Sequence, residues 1–354
     1  MKEVLRIPKF ELANKLAMIK DIVPSRTPQA VLQSVLVEKG YLIANNLQTG
    51  AMVKLEAMEA EPFLIPKEAF SIIGKYPAGE LVISKDDKAI MIKAGSIKNK
   101  WQTLSADEFP RIQDTDGEST SIPAEDFVKS VHRVLFATGT GQNMDCLNLK
   151  ATSGTIRYIA LDGHRIARDR ADFIGEFDLL IPKNAVEQIL SMGLEGELEI
   201  TFNPNSAVFK TDSCTVTTRL IGGKSYDTDK MFLNEPPYST AVNREMLLGA
   251  LQRAKLCEPS GENVPVSFTF ENGTMVIELN SRHSQYHEEL PLEVNIQEPV
   301  KIAFDHKLLI DFLKVLDKDN VFLGLSSPAA PMIITQDKDV YHGLVLPVRV
   351  RGVS

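Results

Sequence analysis

The side chains that most often carry chemistry are few in this sequence, and their spacing matches no complete catalytic or metal site. His283 and His287 have the spacing of metal ligands, but their polar, hairpin-like segment lacks a cysteine or acidic signature to complete the ligand set. Residues 138–141 (Thr-Gly-Thr-Gly) lack the Gly-Lys-Ser/Thr of a phosphate-binding loop and are interpreted as a flexible turn. A Gly-x-Ser-x-Gly nucleophile element is also absent. We therefore expect a non-enzymatic protein with no catalytic residue, metal or cofactor.

Two short segments allow more than one interpretation. Asp162 and His164 follow a predicted strand over residues 155–160, and they could form the pair of a hydrolase. Alternatively, His164 is a turn residue that is hydrogen-bonded to nearby backbone. Residues 272–274 (Asn-Gly-Thr) have the form of a glycosylation sequon, but Asn-Gly between alternating strands is typical of a hairpin turn.

The elements that must position these residues repeat along the chain. An isoleucine or valine before a helix-start signal recurs at offsets of 115 and 120 residues, and a second set falls between these copies, 58 to 62 residues further on. Repeats of this kind indicate that the fold is built from similar units in tandem. The first set is Ile7-Pro8, Ile122-Pro123 and Val242-Asn243, and the second is Leu64 to Lys67, Leu180 to Lys183 and Ala303 to Asp305.

Each of the six repeats is predicted to be a strand, a helix and then several strands. Apolar residues three and four apart follow each signal, as in Val186, Ile189 and Leu190, and alternating runs come next. Proline suits a helix start because its missing N–H would be unpaired there in any case. The predicted fold is therefore α+β, with three tandem similar domains at 1–120, 121–238 and 239–354, each made of two strand–helix–strand half-units.

The composition fits a core-forming protein that stays out of membranes. Hydrophobic residues make up 44% of the chain and charged residues 24%, and no apolar run approaches the roughly 18 residues of a membrane span. No signal segment is recognisable at the N-terminus. The cysteines Cys146, Cys214 and Cys257 are scattered without a Cys-x-x-Cys pair, which is typical of reduced thiols. These features predict a cytoplasmic protein.

The charge distribution is uneven in a way that bears on nucleic acid. The whole chain carries −8, yet the six predicted helices together carry +5, which leaves −13 for the remainder. If all six helices face one way, they present a basic face that could meet phosphates without reading bases. The alternative is that Lys and Arg are simply good helix formers on solvated faces.

Several segments together resemble the bacterial β sliding clamp family, the processivity subunits of DNA polymerase III. The strongest are the Leu-Asp-Gly-His-Arg-Ile-Ala segment at 161–167 and the Tyr-His-Gly-Leu-Val-Leu-Pro-Val-Arg-Val segment at 341–350. The resemblance also includes residues 23–26 and the stretch from 101 to 110, so it covers the whole chain. It implies a somewhat diverged clamp.

Membership of that family would imply a ring. Such clamps are head-to-tail homodimers whose twelve helices line the hole and whose sheets lie outside. The ring encircles duplex DNA independently of sequence, which confers processivity on a replicative polymerase. Polymerase, clamp loader and repair proteins dock through short linear motifs in an apolar pocket between the second and third domains. The resemblance also implies a cytoplasmic, nucleoid-associated protein with no membrane partner.

The resemblance also assigns residues to these roles. Arg26 matches an inner-ring arginine, whereas the other DNA-contact candidates are chosen by helix location alone: Lys9, Lys15, Lys20, Arg133, Arg244, Arg253 and Lys255. Tyr226, Lys230 and Met231 stand at pocket-rim positions where many members have Pro, Arg and Val. The full set of pocket candidates is Leu147, Leu161, Gly163, His164, Arg165, Ile166, Tyr226, Lys230, Met231, Val345, Leu346, Pro347, Val348 and Arg349.

A second function from a different class fits the same repeats. A diverged, clamp-like protein-interaction scaffold would keep the three domains without encircling DNA. The unusual rim segment 226–231 motivates this alternative. The oligomeric state separates the two, because a ring requires a stable dimer at micromolar concentration.

Overall fold

The structure is a computed structural model, and it describes most of the chain. The described residues are 1–56, 61–113, 115–232, 235–271, 273–292, 299–337 and 340–348. Within them there are six α-helices and 24 β-strands. Their order is the same six times over, namely one strand, one helix and three strands, and we number these half-units 1 to 6. The predicted repeat and the α+β class are both confirmed.

The first two half-units occupy the first third of the chain. Their strands and helices are β1 (Lys2–Pro8), α1 (Lys9–Ile19), β2 (Ser34–Glu38), β3 (Tyr41–Asn45), β4 (Thr49–Lys54), β5 (Phe63–Pro66), α2 (Glu68–Lys75), β6 (Glu80–Lys85), β7 (Ala89–Ala94) and β8 (Ile97–Gln102). Short 3₁₀ helices lie at Ala30–Gln33 and Ala106–Glu108.

Half-units 3 to 6 follow the same order. The third and fourth contain β9 (Glu118–Pro123), α3 (Ala124–Val134), β10 (Cys146–Thr152), β11 (Thr155–Leu161), β12 (Arg165–Asp172), β13 (Phe177–Pro182), α4 (Lys183–Ser191), β14 (Glu197–Phe202), β15 (Ser206–Lys210) and β16 (Cys214–Arg219). The fifth and sixth contain β17 (Tyr238–Asn243), α5 (Arg244–Leu256), β18 (Val266–Glu271), β19 (Thr274–Asn280), β20 (Gln285–Pro291), β21 (Val300–Phe304), α6 (His306–Val315), β22 (Asn320–Leu325), β23 (Met332–Thr335) and β24 (Tyr341–Val345). Further 3₁₀ helices lie at Leu135–Ala137 and Asp229–Phe232.

The helix starts explain why the third copy of the sequence signal looks different. Pro8 and Pro182 immediately precede α1 and α4 and make no side-chain cap. In the last two half-units a polar side chain replaces the proline: Asn243 accepts a hydrogen bond from the N–H of Met246, and Asp305 accepts one from the N–H of Lys307. Both devices serve a helix N-terminus, because one removes an unpaired N–H and the other satisfies it.

The chain divides into two compact units, each built on one eight-stranded sheet. Unit 1 comprises residues 1–128 and 181–222, and unit 2 comprises 129–180 and 223–354. The eight-stranded sheets have the orders β5-β2-β3-β4-β16-β15-β14-β9 and β13-β10-β11-β12-β24-β23-β22-β17. These orders are identical once eight is added to each strand number of the first. Each unit also has a four-stranded sheet, β1-β6-β7-β8 in unit 1 and β20-β19-β18-β21 in unit 2.

Helices pack their apolar stripes inside each unit. In unit 1, α1 buries Leu12, Leu16 and Ile19, and in unit 2, α6 buries Leu309 and Phe312 among others. This spacing of three and four residues is the one that predicted the helices. Among the described residues, no helix is both long and apolar enough to cross a bilayer.

The hairpin expected around Asn272 is consistent with the pairing of β18 and β19. Their ladder ends at the pair Glu271 and Thr274, and Gly273 has a φ of 74°, in the left-handed region that favours glycine. Asn272 itself lies outside the described residues.

Candidate functional site

The turn between β11 and β12 is organised by one carboxylate. Asp162 Oδ1 accepts hydrogen bonds from the backbone N–H groups of His164 (2.9 Å) and Arg165 (3.0 Å). Gly163 lies between them with a φ of 86°, a conformation that glycine adopts without strain. Because Asp162 binds the backbone of His164, the arrangement is that of a turn, as in the second interpretation of the sequence, and the geometry does not support a catalytic pair.

Arg165 is a buried anchor and presents no free charge. Its Nε donates to Asp162 Oδ2 (2.9 Å), its Nη1 to Asp311 Oδ2 (2.8 Å) and its Nη2 to the carbonyl of Phe136 (3.0 Å). The guanidinium also lies 4.9 Å from the centroid of the Phe136 ring. These contacts tie the start of β12 to α6 and to the 3₁₀ helix at 135–137, so Arg165 fixes the turn that precedes it.

The same turn meets the C-terminal strand of unit 2. Arg165 is paired with Val345 in the β12–β24 ladder, and one step further the N–H of Leu346 donates to the carbonyl of His164 (2.9 Å). The N–H of Val348 donates to the carbonyl of Ala303 (2.8 Å). The two segments that most resemble the clamp family begin at Leu161 and Tyr341, 180 residues apart in the sequence, and they therefore lie side by side.

Candidate pocket residues divide into a buried layer and an exposed layer. The buried ones are Leu147, Arg165, Ile166 and Val345, and Ile166 packs in a small cluster with Ile159 and Leu344. The side chains that remain accessible are mostly apolar: Leu346 and Val348 are each 40% exposed, Met231 is 52% exposed and Tyr226 38%. Leu161 and Pro347 are half-buried, Gly163 and His164 are exposed, and Arg349 lies outside the described residues.

The rim segment is held by a residue that the sequence did not single out. Asp229 bridges two strands, accepting from Nη1 of Arg157 on β11 (2.7 Å) and from Nη1 of Arg168 on β12 (2.9 Å). The Arg168 guanidinium lies 4.3 Å from the ring centroid of Phe232, which packs against the Ile159–Ile166–Leu344 cluster. The only sequence signal was the run of arginines in β12, whose burial requires nearby acids.

The other rim residues make their contacts at the surface. Tyr226 donates its hydroxyl hydrogen to the carbonyl of Gln142 (3.0 Å). Lys230 pairs with Asp227 at 2.9 Å, and this exposed pair raises the pKa of Lys230 and lowers that of Asp227. Lys230 is 77% exposed and so remains accessible to a ligand.

Four DNA-contact candidates of unit 1 lie in or beside α1. Arg26 and Lys20 are exposed, and Lys9 and Lys15 are half-buried. The loop that carries Arg26 is fixed by Lys67, whose Nζ donates to the carbonyl of Val23 (2.6 Å) and to Ser25 Oγ (3.0 Å). The loop of Arg26 thus has a defined position, and within the part of the chain that the structure describes none of the four cations makes an ion pair.

Three candidates from unit 2 are occupied by partners within the protein. Arg133 is only 5% exposed, and it contacts Asp317 at 3.0 Å and Asp169 at 3.5 Å. Its choice from helix location alone is not supported, because a buried and neutralised guanidinium cannot reach phosphate. Arg244 donates to the carbonyls of Leu313 and Lys318, and Arg253 pairs with Glu288, whereas Lys255 is exposed.

Comparison with known proteins agrees with this geometry. A family model described as the C-terminal domain of the DNA polymerase III beta subunit matches residues 232–349. The beta sliding clamp of Synechococcus elongatus is 25% identical over 378 residues, covering 99% of this chain and 100% of the relative. That of Chlamydia pneumoniae is 27% identical, covering 97% and 98%.

Solved structures show the same fold over the full length. The sliding clamp from Pseudomonas aeruginosa bound to griselimycin has a TM-score of 0.91 at 22% identity, covering 99% of this chain and all of that one. The beta subunit from Thermotoga maritima has a TM-score of 0.90 at 20% identity, covering 98% and 100%. The full-length relatives, the family model over residues 232–349 and the solved structures together show that this chain is similar to the bacterial β sliding clamps along its whole length.

Proposed function

We propose that the chain is a DNA sliding clamp, a non-enzymatic processivity subunit. Two copies form a closed ring that encircles duplex DNA and docks polymerase, clamp loader and repair proteins at the candidate pocket of unit 2. Each copy contributes three domains, at 1–120, 121–238 and 239–354. The protein acts in the cytoplasm, on the nucleoid. The observation that carries this proposal is an incomplete pattern in the sheets.

The order of the strands predicts how two copies join. In both eight-stranded sheets the central pair connects the last strand of half-unit n to the last strand of half-unit n+3: β4 of half-unit 1 pairs with β16 of half-unit 4, and β12 of half-unit 3 pairs with β24 of half-unit 6. The same rule pairs β20, the last strand of half-unit 5, with the last strand of a half-unit 8. If the numbering continues from half-unit 6 into a second copy, half-unit 8 is half-unit 2 of that copy, and its last strand is β8. The two four-stranded sheets are thus complementary halves, and β20 of one copy pairs with β8 of the next.

The chemistry of these two edge strands supports the pairing. Lys98 and Lys100 are exposed on β8, and Glu289 is exposed on β20, so the strands carry opposite charge. Ile97 on β8 is 41% exposed and would be covered. An unpaired strand edge is a template for another strand, and a head-to-tail contact closes into a ring when its rotation permits.

Charge reversal on β8 tests the ring. The double variant Lys98→Glu/Lys100→Glu would place like charges opposite β20, so we expect its dimer dissociation constant to rise at least about tenfold. Native mass spectrometry at micromolar concentration measures this. Lys88→Glu, an exposed lysine in the turn before β7, is the charge control and should leave the dimer intact. A wild-type monomer would contradict the ring and favour the scaffold function.

Encirclement is tested by topology. The dimer, loaded on nicked circular DNA by a clamp loader and ATP, should stay bound until the DNA is linearised and then slide off the ends. The Lys98→Glu/Lys100→Glu variant should not be retained on the circle. Retention that survives linearisation would indicate ordinary binding and would sink the proposal.

The docking role is tested with griselimycin, since the Pseudomonas aeruginosa clamp was solved bound to it. We propose that griselimycin binds this chain at the exposed apolar side chains Leu346, Val348 and Met231. Leu346→Ala removes part of that surface, so its dissociation constant should rise about tenfold, as measured by calorimetry. Leu47→Ala, an equally exposed leucine in unit 1, is the matched control. Equal affinities for wild type and Leu346→Ala would show that the pocket is wrongly assigned.

A further inference from the structure

Unit 1 contains a cavity of about 760 Å³ at the β4–β16 junction. Its walls come from the turn between β3 and β4, from residues 110–113 and Thr115, from the turn between β14 and β15, and from the end of β16 with the chain that follows it. A volume of this size is typical of ligand pockets, which range over about 300–1,000 Å³. The proposed clamp function leaves this cavity without a role.

The cavity occupies the position in unit 1 that the candidate pocket occupies in unit 2. Asn46 Oδ1 accepts from the N–H groups of Gln48 and Thr49, as Asp162 Oδ1 does from the residues two and three further on. The N–H of Arg219 donates to the carbonyl of Gln48 (3.0 Å), as that of Leu346 does to His164. The turn and the strand junction are therefore the same construction.

A left-handed backbone conformation occurs at the same place in both units. Leu47 has a φ of 71°, at the position where unit 2 has Gly163 with a φ of 86°. A leucine in this region is strained, and such strain persists only where the surroundings impose it. The side chain is 46% exposed at the cavity, so the strained turn presents an apolar group to solvent.

The two junctions differ in the chemistry they present. Arg219 stands where unit 2 has the exposed Leu346, and Gln48 stands where it has His164. The described residues that line the cavity include two cations, Arg111 and Arg219. Arg111 is already paired with Glu38 at 2.8 Å, whereas Arg219 is exposed and has no recorded ion pair among the described residues. An exposed guanidinium without an ion pair favours an anionic ligand, because a carboxylate can accept hydrogen bonds from it in a charge-assisted pair.

We propose that this cavity is a second docking site, which binds an extended acidic peptide segment of a partner protein. A carboxylate of the peptide pairs with Arg219, and a neighbouring apolar side chain packs on Leu47 and Leu220. The polar groups of the turn orient the peptide backbone. One chain then carries two docking sites of opposite preference, apolar in unit 2 and acidic in unit 1.

The test is a selection for peptides on the full-length protein. A displayed library of random ten-residue peptides is selected against protein carrying Leu346→Ala, which weakens the site in unit 2. We expect the enriched peptides to contain Asp or Glu beside an apolar residue. Fluorescence polarisation should show that Arg219→Glu, added to the Leu346→Ala parent protein, raises their dissociation constant at least about tenfold. High salt should also weaken their binding to the parent protein, by a smaller factor.

Two further variants keep the outcome decisive. Lys210→Glu reverses an exposed charge on β15 of the same unit and should leave affinity within about twofold of the parent. Arg219→Leu copies the side chain found in unit 2 and should lose the preference for acidic peptides while keeping the fold. Failure to enrich any peptide, enrichment without acidic residues, or affinity unchanged in Arg219→Glu would each overturn the proposal. None of these results depends on DNA or ring closure.

Discussion

Arginine side chains in this protein divide into two groups according to what surrounds them. Arg165 and Arg133 are buried and satisfied by carboxylates, and they hold elements together. Arg26 and Arg219 are exposed and available to ligands. The sequence could not separate these groups, because the partner Asp311 is 146 residues from Arg165. A cation's role is decided by distant carboxylates that only the fold brings near.

His306 predicts a pH dependence of stability at the residue scale. It is fully buried at the start of α6, and burial lowers its pKa, partly opposed by Glu258, whose carboxylate lies 3.7 Å away, and by Asp305. As the pH falls, His306 therefore takes up a proton in the unfolded chain, near pH 6.5, before it does so in the folded protein. Stability should fall as the pH drops from 7 through this value, by up to about 1.4 kcal/mol per pH unit.

Replacing this side chain isolates its contribution. We expect His306→Phe to flatten the dependence of the urea midpoint on pH between 7 and 5, whatever its stability at pH 7. His164→Phe changes an exposed histidine and should keep the wild-type slope. Parallel profiles for wild type and His306→Phe would show that protonation of His306 is not coupled to unfolding.

At the scale of elements, local sequence determines the six helices, whereas distant contacts determine the rim of the pocket. The helices begin at proline or at a capping side chain, which are signals within one turn of the chain. The 3₁₀ helix at 229–232 is instead anchored through Asp229 by Arg157 and Arg168, which are 72 and 61 residues away. Its position could not be predicted because its stabilising partners are not local.

This anchor can be tested at the level of the pocket. Asp229→Ala removes the carboxylate that holds the rim and leaves the buried Arg168 and the half-buried Arg157 without it. We therefore expect the dissociation constant for griselimycin to rise about tenfold. Asp227→Ala, two residues earlier, breaks only the exposed pair with Lys230 and should change the affinity little. Calorimetry measures the affinity of both variants. Equal affinities for Asp229→Ala and Asp227→Ala would show that the Asp229 contacts do not matter for binding.

At the scale of the whole molecule, an acidic chain is expected to remain on DNA by topology. Proteins held by six to ten phosphate contacts lose about 10³–10⁵ in affinity between 50 and 200 mM salt. A closed ring does not depend on those contacts, so we expect its half-life on nicked circular DNA to change less than about threefold over the same range. Retention assays at both salt concentrations measure this, with linear DNA of equal length as the comparison. If salt released the protein equally fast from circular and from linear DNA, that result would contradict encirclement.

The sequence by itself determined the repeat, the six helix positions and the α+β class, because hydrophobic periodicity and helix-start signals act over a few residues. It also supplied the two segments that lie side by side in unit 2. Tertiary structure alone decided which cations are free, which rim residues are anchored, and that unit 1 has a cavity equivalent to the candidate pocket. It also revealed the n to n+3 rule of strand pairing. Those features depend on contacts between residues far apart in the chain, and such contacts leave no local pattern to be read.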